Sequence, residues 1–198
     1  MGSKKILIGG YGTLLLQESL NTSIQRNLVK ETVEYFPMVV EGYRRLFNLK
    51  PTHYKSSSKI STTGIEMGAA NVRKCAKSSF NGLCFYVDEE EALKIDQREV
   101  YYEKALVDFK DFKTNKSLGE GYIYTVNELT SDLLINDPKE LMPNWRDIVY
   151  ARTGAYRISE DFGDYYDQTT YLADGESLTV DNYRRLGVIE DDFFNLNL

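Results

Sequence analysis

The residue with the clearest potential for chemistry is Glu99, which lies where a predicted helix gives way to a predicted strand in Ile95–Tyr102. It lies beside apolar and aromatic residues. Desolvation raises the pKa of a carboxylate held against such a surface, which makes it a usable base near neutral pH. The pattern therefore indicates a candidate general acid/base. A surface glutamate paired with Arg98 or Lys104 is the alternative interpretation.

A second candidate is the glycine-containing turn Gly9-Gly10-Tyr11-Gly12-Thr13-Leu14, which joins a predicted strand to a predicted amphipathic helix. Glycine permits backbone conformations with φ > 0, so successive N–H groups can converge on an anion. The following helix adds its N-terminal dipole at the same place. The lysine and the spacing of a phosphate-binding P-loop are missing. An anion-binding turn and a purely structural turn both fit these residues.

Two tyrosines, Tyr122 and Tyr124, alternate along a predicted strand near the middle of the chain. Alternate residues of a strand point to the same face, so both side chains could line one pocket. Aromatic residues of strands also serve as core residues, and that interpretation stays open.

The supply of histidine and cysteine narrows the chemistry further. His53 is the only histidine and lies in a polar loop, while Cys75 and Cys84 lack CxxC spacing. The common zinc sites need more ligands than these, and a Ser-His-Asp or Cys-His triad would depend on His53. The cysteines are predicted to be buried cytosolic thiols rather than a disulfide. We therefore expect acid–base work by carboxylates, tyrosines or lysines, with no metal and no cofactor.

The composition bounds the size and the partners of the protein. The 198 residues suit one domain, or one domain with an appendage, and 24 basic residues against 30 acidic ones give a formal charge of −6. This balance argues against a nucleic-acid partner, which requires a basic face. We find no apolar run near the ~18 residues of a membrane span and no signal-peptide pattern. A soluble cytoplasmic protein without a membrane partner is the expectation.

The hydrophobic pattern predicts a mixture of strands and helices that position these residues. Strands are predicted at Lys5–Ile8, in two segments of Thr32–Leu49 joined by a bend, at Phe80–Val87, and in a hairpin of Tyr101–Phe112 and Glu120–Val126. Helices are predicted at Leu15–Asn27, Asp88–Arg98 and Asn144–Tyr156. Residues 51–64 resemble a mobile loop, and residues 65–79 show no decisive pattern.

In this order, four short motifs resemble the γ-glutamyl cyclotransferase superfamily, in its γ-glutamylamine cyclotransferase and AIG2-like branch. The motifs are Tyr11-Gly12-Thr13-Leu14, Val40–Phe47, Gly82–Val87 and Ile95–Glu99. The resemblance implies an α+β fold, with a mixed β-barrel, flanking helices and a helical C-terminal extension. It covers about residues 5–126. Gly10 departs from it, because the position before the loop tyrosine is usually bulky.

The resemblance also implies a reaction and its residues. Glu99 would be the general acid/base that converts a γ-glutamyl amide to 5-oxoproline and a free amine, as a transferase or lyase. Tyr11, Gly12, Thr13, Leu14 and Tyr122 would bind the small γ-glutamyl substrate. A non-catalytic AIG2-like binding or regulatory module is the alternative, and the protein would be a monomer or a homodimer.

The aromatic-rich C-terminal segment is expected to pack on the barrel rather than stay free. We predict a barrel of residues 1–126 and an extension of residues 127–198 that belongs to the same domain. Packing on the barrel without substrate contact and walling one side of the pocket both fit the pattern.

Overall fold

The computed structural model describes residues 5–24, 35–50, 66–99, 102–126, 134, 141–143 and 145–178. His53 and the predicted loop of residues 51–64 lie outside these ranges, so both interpretations stay predictions.

Five strands form a closed mixed β-barrel: β1 (Ile6–Gly10), β2 (Tyr35–Leu49), β3 (Glu66–Val87), β4 (Tyr102–Asp111) and β5 (Ser117–Val126). They neighbour one another in the order β3-β1-β5-β4-β2, and β2 pairs again with β3 to close the ring. The pair β1–β5 is parallel and the other pairs are antiparallel. The predicted α+β class with a mixed barrel is confirmed.

Strand β1 shows how the sequence fills this barrel. Leu7 belongs to the cluster that fills the barrel, while Ile8 packs with the helices outside, as the two-residue period of a strand requires. The strand continues past Ile8, where the sequence predicted a turn, because Gly9 and Gly10 pair with β3. A Cβ on Gly9 would lie 2.8 Å from the Phe109 ring, so close packing requires glycine here.

Strands β2 and β3 form a ribbon that is longer than the prediction. The bend expected within Thr32–Leu49 is a β-bulge at Gly42, where φ is +80° and the register shifts, so β2 is continuous. Residues 66–79, for which no prediction was made, form the first part of β3. This ribbon extends to Leu49 and Ala69 at one edge of the candidate site.

Within the part of the chain that the structure describes, four α-helices accompany the barrel: α1 (Gln17–Ile24), α2 (Glu89–Arg98), α3 (Trp145–Ile158) and α4 (Glu160–Gln168). Asp88 begins α2 with a capping box, in which its carboxylate accepts from the Glu91 N–H and the Glu91 carboxylate accepts from the Asp88 N–H. Ala92 and Ile95 then pack with residues of α1 and the outer face of β1. This packing fixes the end of α2, where Glu99 lies.

The C-terminal segment contacts the barrel in two ways. Its short strands β6 (Leu141–Pro143) and β7 (Thr170–Tyr171) pair in parallel with β3 and β2. Ala151, Phe162 and Tyr166 of α3 and α4 are fully buried in a cluster with Leu15 and Leu83. The predicted helix in this segment is present as α3, whereas α4 was not predicted. The division at residue 126 stays a prediction.

Within the described ranges, no helix has both the length and the apolar character needed to cross a bilayer. The two cysteines are free thiols, but only Cys84 is buried and Cys75 is partly exposed. The prediction of two buried thiols was therefore wrong for Cys75, which lies in the irregular part of β3 opposite the Gly42 bulge.

Candidate active site

A cavity of about 300 Å³ lies at the end of the barrel where β1 stops. Its walls come from the turn of residues 9–14, α1, the tip of the β2–β3 ribbon, the end of α2, the start of β4, β5 and α3. The volume is at the lower end of the range for small-molecule sites. The cavity therefore suits a small substrate.

Glu99 lies in this cavity as the C-cap of α2. Its backbone is held at both sides, because its N–H donates to Ile95 O at 3.0 Å and its carbonyl accepts from Tyr102 N at 2.9 Å. Only 18% of the surface of the Glu99 side chain is exposed to solvent. This burial raises the pKa of the carboxyl, while the positive charge of Arg98 opposes the increase. A carboxyl with these properties is suited to proton transfer at near-neutral pH.

Arg98 connects Glu99 to the turn and to α1. Its Nη2 donates to Thr13 Oγ1 at 2.7 Å and its Nη1 donates to Ser23 Oγ at 2.8 Å. The Nε lies 3.6 Å from Glu99 Oε1. The alternative interpretation of Glu99 was a surface residue paired with Arg98. The pair with Arg98 is present, but Glu99 lines the cavity.

The turn of residues 11–14 presents backbone donors to the same cavity. Leu15 N donates to Gly12 O at 3.0 Å and Leu16 N donates to Thr13 O at 3.2 Å, which forms a short 3₁₀ turn. The N–H groups of Gly12, Thr13 and Leu14 have no acceptor among the described residues. First-turn amides of this kind are available to an anion.

The expected reason for the glycines in this turn was wrong. Gly12 has φ −115°, not a positive φ, and a Cβ there would meet only Ala70 at 3.8 Å. Gly10 is the restricted position, because a Cβ would lie 2.6 Å from the Leu14 Cβ. Its small size lets the turn fold back on the end of β1, where the resemblance led us to expect a bulky residue.

The remaining predicted residues differ in their positions. Tyr11 lines the cavity, but its hydroxyl is buried and donates to Tyr124 O at 2.7 Å, which anchors the turn to β5. Burial raises the pKa of Tyr11, and the nearby Glu99 adds to the increase. Tyr124 also lines the cavity, and its hydroxyl donates to Asp96.

Tyr122 is not among the residues that line the cavity. It shares a face of β5 with Tyr124, but it lies two residues farther from the site, a distance of about 7 Å along a strand. Its ring instead lies 5.7 Å from Lys104 Nζ. A substrate contact by Tyr122 is therefore not supported by this geometry, and Tyr124 is the strand tyrosine at the cavity.

Sequence reasoning missed Arg45, which is fully buried behind the turn. Its guanidinium donates to the carbonyl oxygens of Tyr11 in the turn, Asn81 in β3 and Tyr166 in α4. It also donates to the side-chain oxygens of Asn81, Thr169 and Thr170. Burial lowers the pKa of Arg45 to about 10, so the residue stays charged at neutral pH. Arg45 thereby ties the turn to the C-terminal segment.

Sequence reasoning also left open whether the C-terminal segment reaches the cavity. Asp147 and Tyr150 of α3 line it, so this segment walls one side. Among the described residues, no group of three or more histidine, cysteine, aspartate or glutamate side chains could hold a metal ion.

Comparisons with known proteins identify the fold. No protein-family model matches the sequence, and no curated protein matches it significantly. A solved γ-glutamyl cyclotransferase is 14% identical over 94% of this chain and 89% of its own, with a TM-score of 0.54. A yeast γ-glutamyl cyclotransferase specific to glutathione is 11% identical over 79% of this chain and 88% of its own, with a TM-score of 0.56.

An uncharacterized human protein is 14% identical over 94% of this chain and 88% of its own, with a TM-score of 0.52. At these identities the likeness concerns the fold. The chain therefore has the γ-glutamyl cyclotransferase fold, which is the fold that its four sequence motifs implied.

Proposed function

We propose that the protein is a γ-glutamyl cyclotransferase-type enzyme, which converts a γ-glutamyl amide to 5-oxoproline and a free amine. The observation that carries this proposal is the position of Glu99. Its carboxyl is largely buried, has a raised pKa and shares one small cavity with the amides of residues 12–14. The fold, which is that of γ-glutamyl cyclotransferases, supports the same reaction.

The substrate would be held by the turn. Its α-carboxylate accepts hydrogen bonds from the N–H groups of Gly12, Thr13 and Leu14, which lack acceptors among the described residues. Tyr11 supports the turn from behind, and Leu14 packs the turn against the outer face of β1. In this arrangement the γ-carbonyl carbon and its amide nitrogen extend toward Glu99.

The reaction needs only proton transfer from the protein. The α-amine of the substrate attacks its own γ-carbonyl carbon, which forms the ring C–N bond, and Glu99 accepts the proton that the amine loses. Glu99 then delivers this proton to the leaving nitrogen as the original amide bond breaks. Because the nucleophile is tethered to its target, most of the entropic cost of bringing them together is avoided. Proton transfer by a positioned carboxyl contributes about 10²–10⁴-fold more.

The proposal is tested by incubating the full chain with a library of γ-glutamyl compounds and measuring 5-oxoproline by mass spectrometry. The library includes amino acids, dipeptides, the ε-amine of lysine and simple amines as leaving groups. Formation of 5-oxoproline from at least one compound is the expected result. Binding of these compounds without turnover would instead favour the non-catalytic module.

The pH dependence of turnover follows from the two charges at the end of α2. Glu99 accepts a proton only when it is ionised, so kcat/KM is expected to fall below its pKa. Burial places this inflection above the ordinary glutamate value of 4.5. Arg98 lowers the pKa of Glu99, so Arg98→Gln should move the inflection to higher pH. Rate measurements across pH for both proteins test this, and an inflection that moves to lower pH would contradict it.

A further inference from the structure

A second cleft, of about 660 Å³, adjoins the candidate active site between α1 and α3. Ser19, Arg98 and Tyr150 line both spaces, so the cleft opens directly from the cavity that contains Glu99. Its lining includes the apolar side chains of Leu16 and Val149 and several hydroxyl groups. The cleft is therefore the space into which a substrate bound near Glu99 can extend.

Arg98 lies at the junction of the two spaces, where two hydrogen bonds orient its guanidinium. Two of its five N–H donors bind the hydroxyls of Thr13 and Ser23. Each terminal nitrogen carries a second N–H that has no acceptor among the described residues. A guanidinium that is held in place with donors to spare is well suited to bind a carboxylate.

The charges in the cleft favour an anion at this junction rather than elsewhere. At the far end, Arg157 Nη1 lies 2.8 Å from Glu18 Oε1, so those two charges neutralise each other. The other lining residues are uncharged apart from Arg98. The carboxylate paired with Arg98 is that of Glu99, whose Oε1 lies 3.6 Å from Arg98 Nε, and it becomes neutral whenever Glu99 holds the proton in transfer.

We propose that this cleft is the leaving-group subsite and that Arg98 binds a carboxylate on the leaving amine. The inference rests on the proposed function, because it assumes a γ-glutamyl group in the cavity. Glu99 must reach the scissile nitrogen to protonate it, and the α-carboxylate of a leaving amino acid is only two bonds from that nitrogen. Because Arg98 Nε lies 3.6 Å from Glu99 Oε1, the two side chains can reach substrate atoms that are this close together. Preferred substrates thus release an amino acid or peptide joined through its α-amine, not a simple alkylamine.

The test compares γ-glutamyl-alanine with γ-glutamyl-ethylamide, which differ only in the carboxylate. Dissociation constants are measured by calorimetry in the Glu99→Gln protein, so that turnover during the measurement is minimised. We expect γ-glutamyl-alanine to bind about tenfold more tightly, the lower end of the range for a hydrogen-bonded charged group, since Arg98 is partly exposed. Adding Arg98→Gln should bring the ratio of the two constants close to one, and Arg98→Lys should retain part of it.

Arg73→Gln is the matched control, because Arg73 is exposed on β3 and lines neither space. Added to Glu99→Gln, it should leave the ratio unchanged. Equal binding of the two compounds, or a ratio that survives Arg98→Gln, would overturn the subsite while leaving the proposed function intact. Failure of both compounds to bind would overturn the subsite together with the γ-glutamyl site. Failure of the wild-type protein to form 5-oxoproline while the binding ratio holds counts against the proposed reaction alone.

Discussion

Replacing Glu99 with glutamine is expected to lower kcat for 5-oxoproline formation by about 10²–10⁴-fold, the usual contribution of a general acid/base. The amide has nearly the same shape and volume as the carboxyl but can neither accept the proton of the attacking amine nor return it to the leaving nitrogen. Steady-state kinetics with any substrate from the library provides the measurement. Equal turnover by the wild-type and Glu99→Gln proteins would remove Glu99 from the mechanism.

The fold should survive this substitution. The pKa of Glu99 is higher in the folded protein than in the unfolded chain, so the folded state binds this proton more tightly. Stability from this group is therefore present at low pH and is lost as pH rises from the unfolded pKa through the folded one. At neutral pH we expect Glu99→Gln to melt at the same temperature as the wild type or higher. Glu90→Gln, at an exposed position on the same helix, is the control for helix effects and should leave turnover unchanged.

Arg45→Met is expected to destabilise the protein by about 3–5 kcal/mol. Methionine fills a similar space but donates no hydrogen bonds, so the buried acceptors on Tyr11, Asn81 and Tyr166 lose the Arg45 N–H. Each buried acceptor left without a donor costs about 1–3 kcal/mol. Removing the buried positive charge also removes its desolvation penalty, which offsets part of this loss of stability. For a chain of this size the loss corresponds to a melting temperature lower by about 6–20 °C.

Thermal unfolding of Arg45→Met beside Arg73→Met tests this expectation. Arg73 is an exposed arginine of the neighbouring strand, and its replacement should change the melting temperature by no more than a degree or two. If the Arg45→Met protein has the same melting temperature as the wild type, the guanidinium does not hold the turn and the C-terminal segment together.

Much of the barrel could be predicted from short local patterns. The apolar run ending at Ile8, the hairpin before Val126 and the carboxylate-rich start of α2 each carry their own signal, so the elements around Glu99 were placed correctly. The motif resemblance supplied the closure of the barrel, which no local pattern contains. The continuous β2 was missed, because a bulge at glycine has the same local signature as a break between two strands.

The rest of the site depends on contacts between residues distant in sequence. Arginine is usually exposed, and nothing near Arg45 indicates that its partners are Asn81 and Thr170. Helix α4 contains glycine, tyrosine and aspartate, which have poor helix propensity, and it depends on the Ser159 cap and on burial of Phe162. The choice between Tyr122 and Tyr124 depends on how far β5 extends beside the turn, a distance that alternation along the strand does not fix.

The most direct test of the central claim is a reaction in water enriched in oxygen-18, with mass spectrometry of every product. If the substrate's own amine is the nucleophile, the products are unlabelled 5-oxoproline and an equal amount of free amine, with no glutamate. Glutamate that carries oxygen-18 in its γ-carboxyl would show that water attacks the γ-carbonyl. That result would make the protein a hydrolase and contradict intramolecular cyclisation.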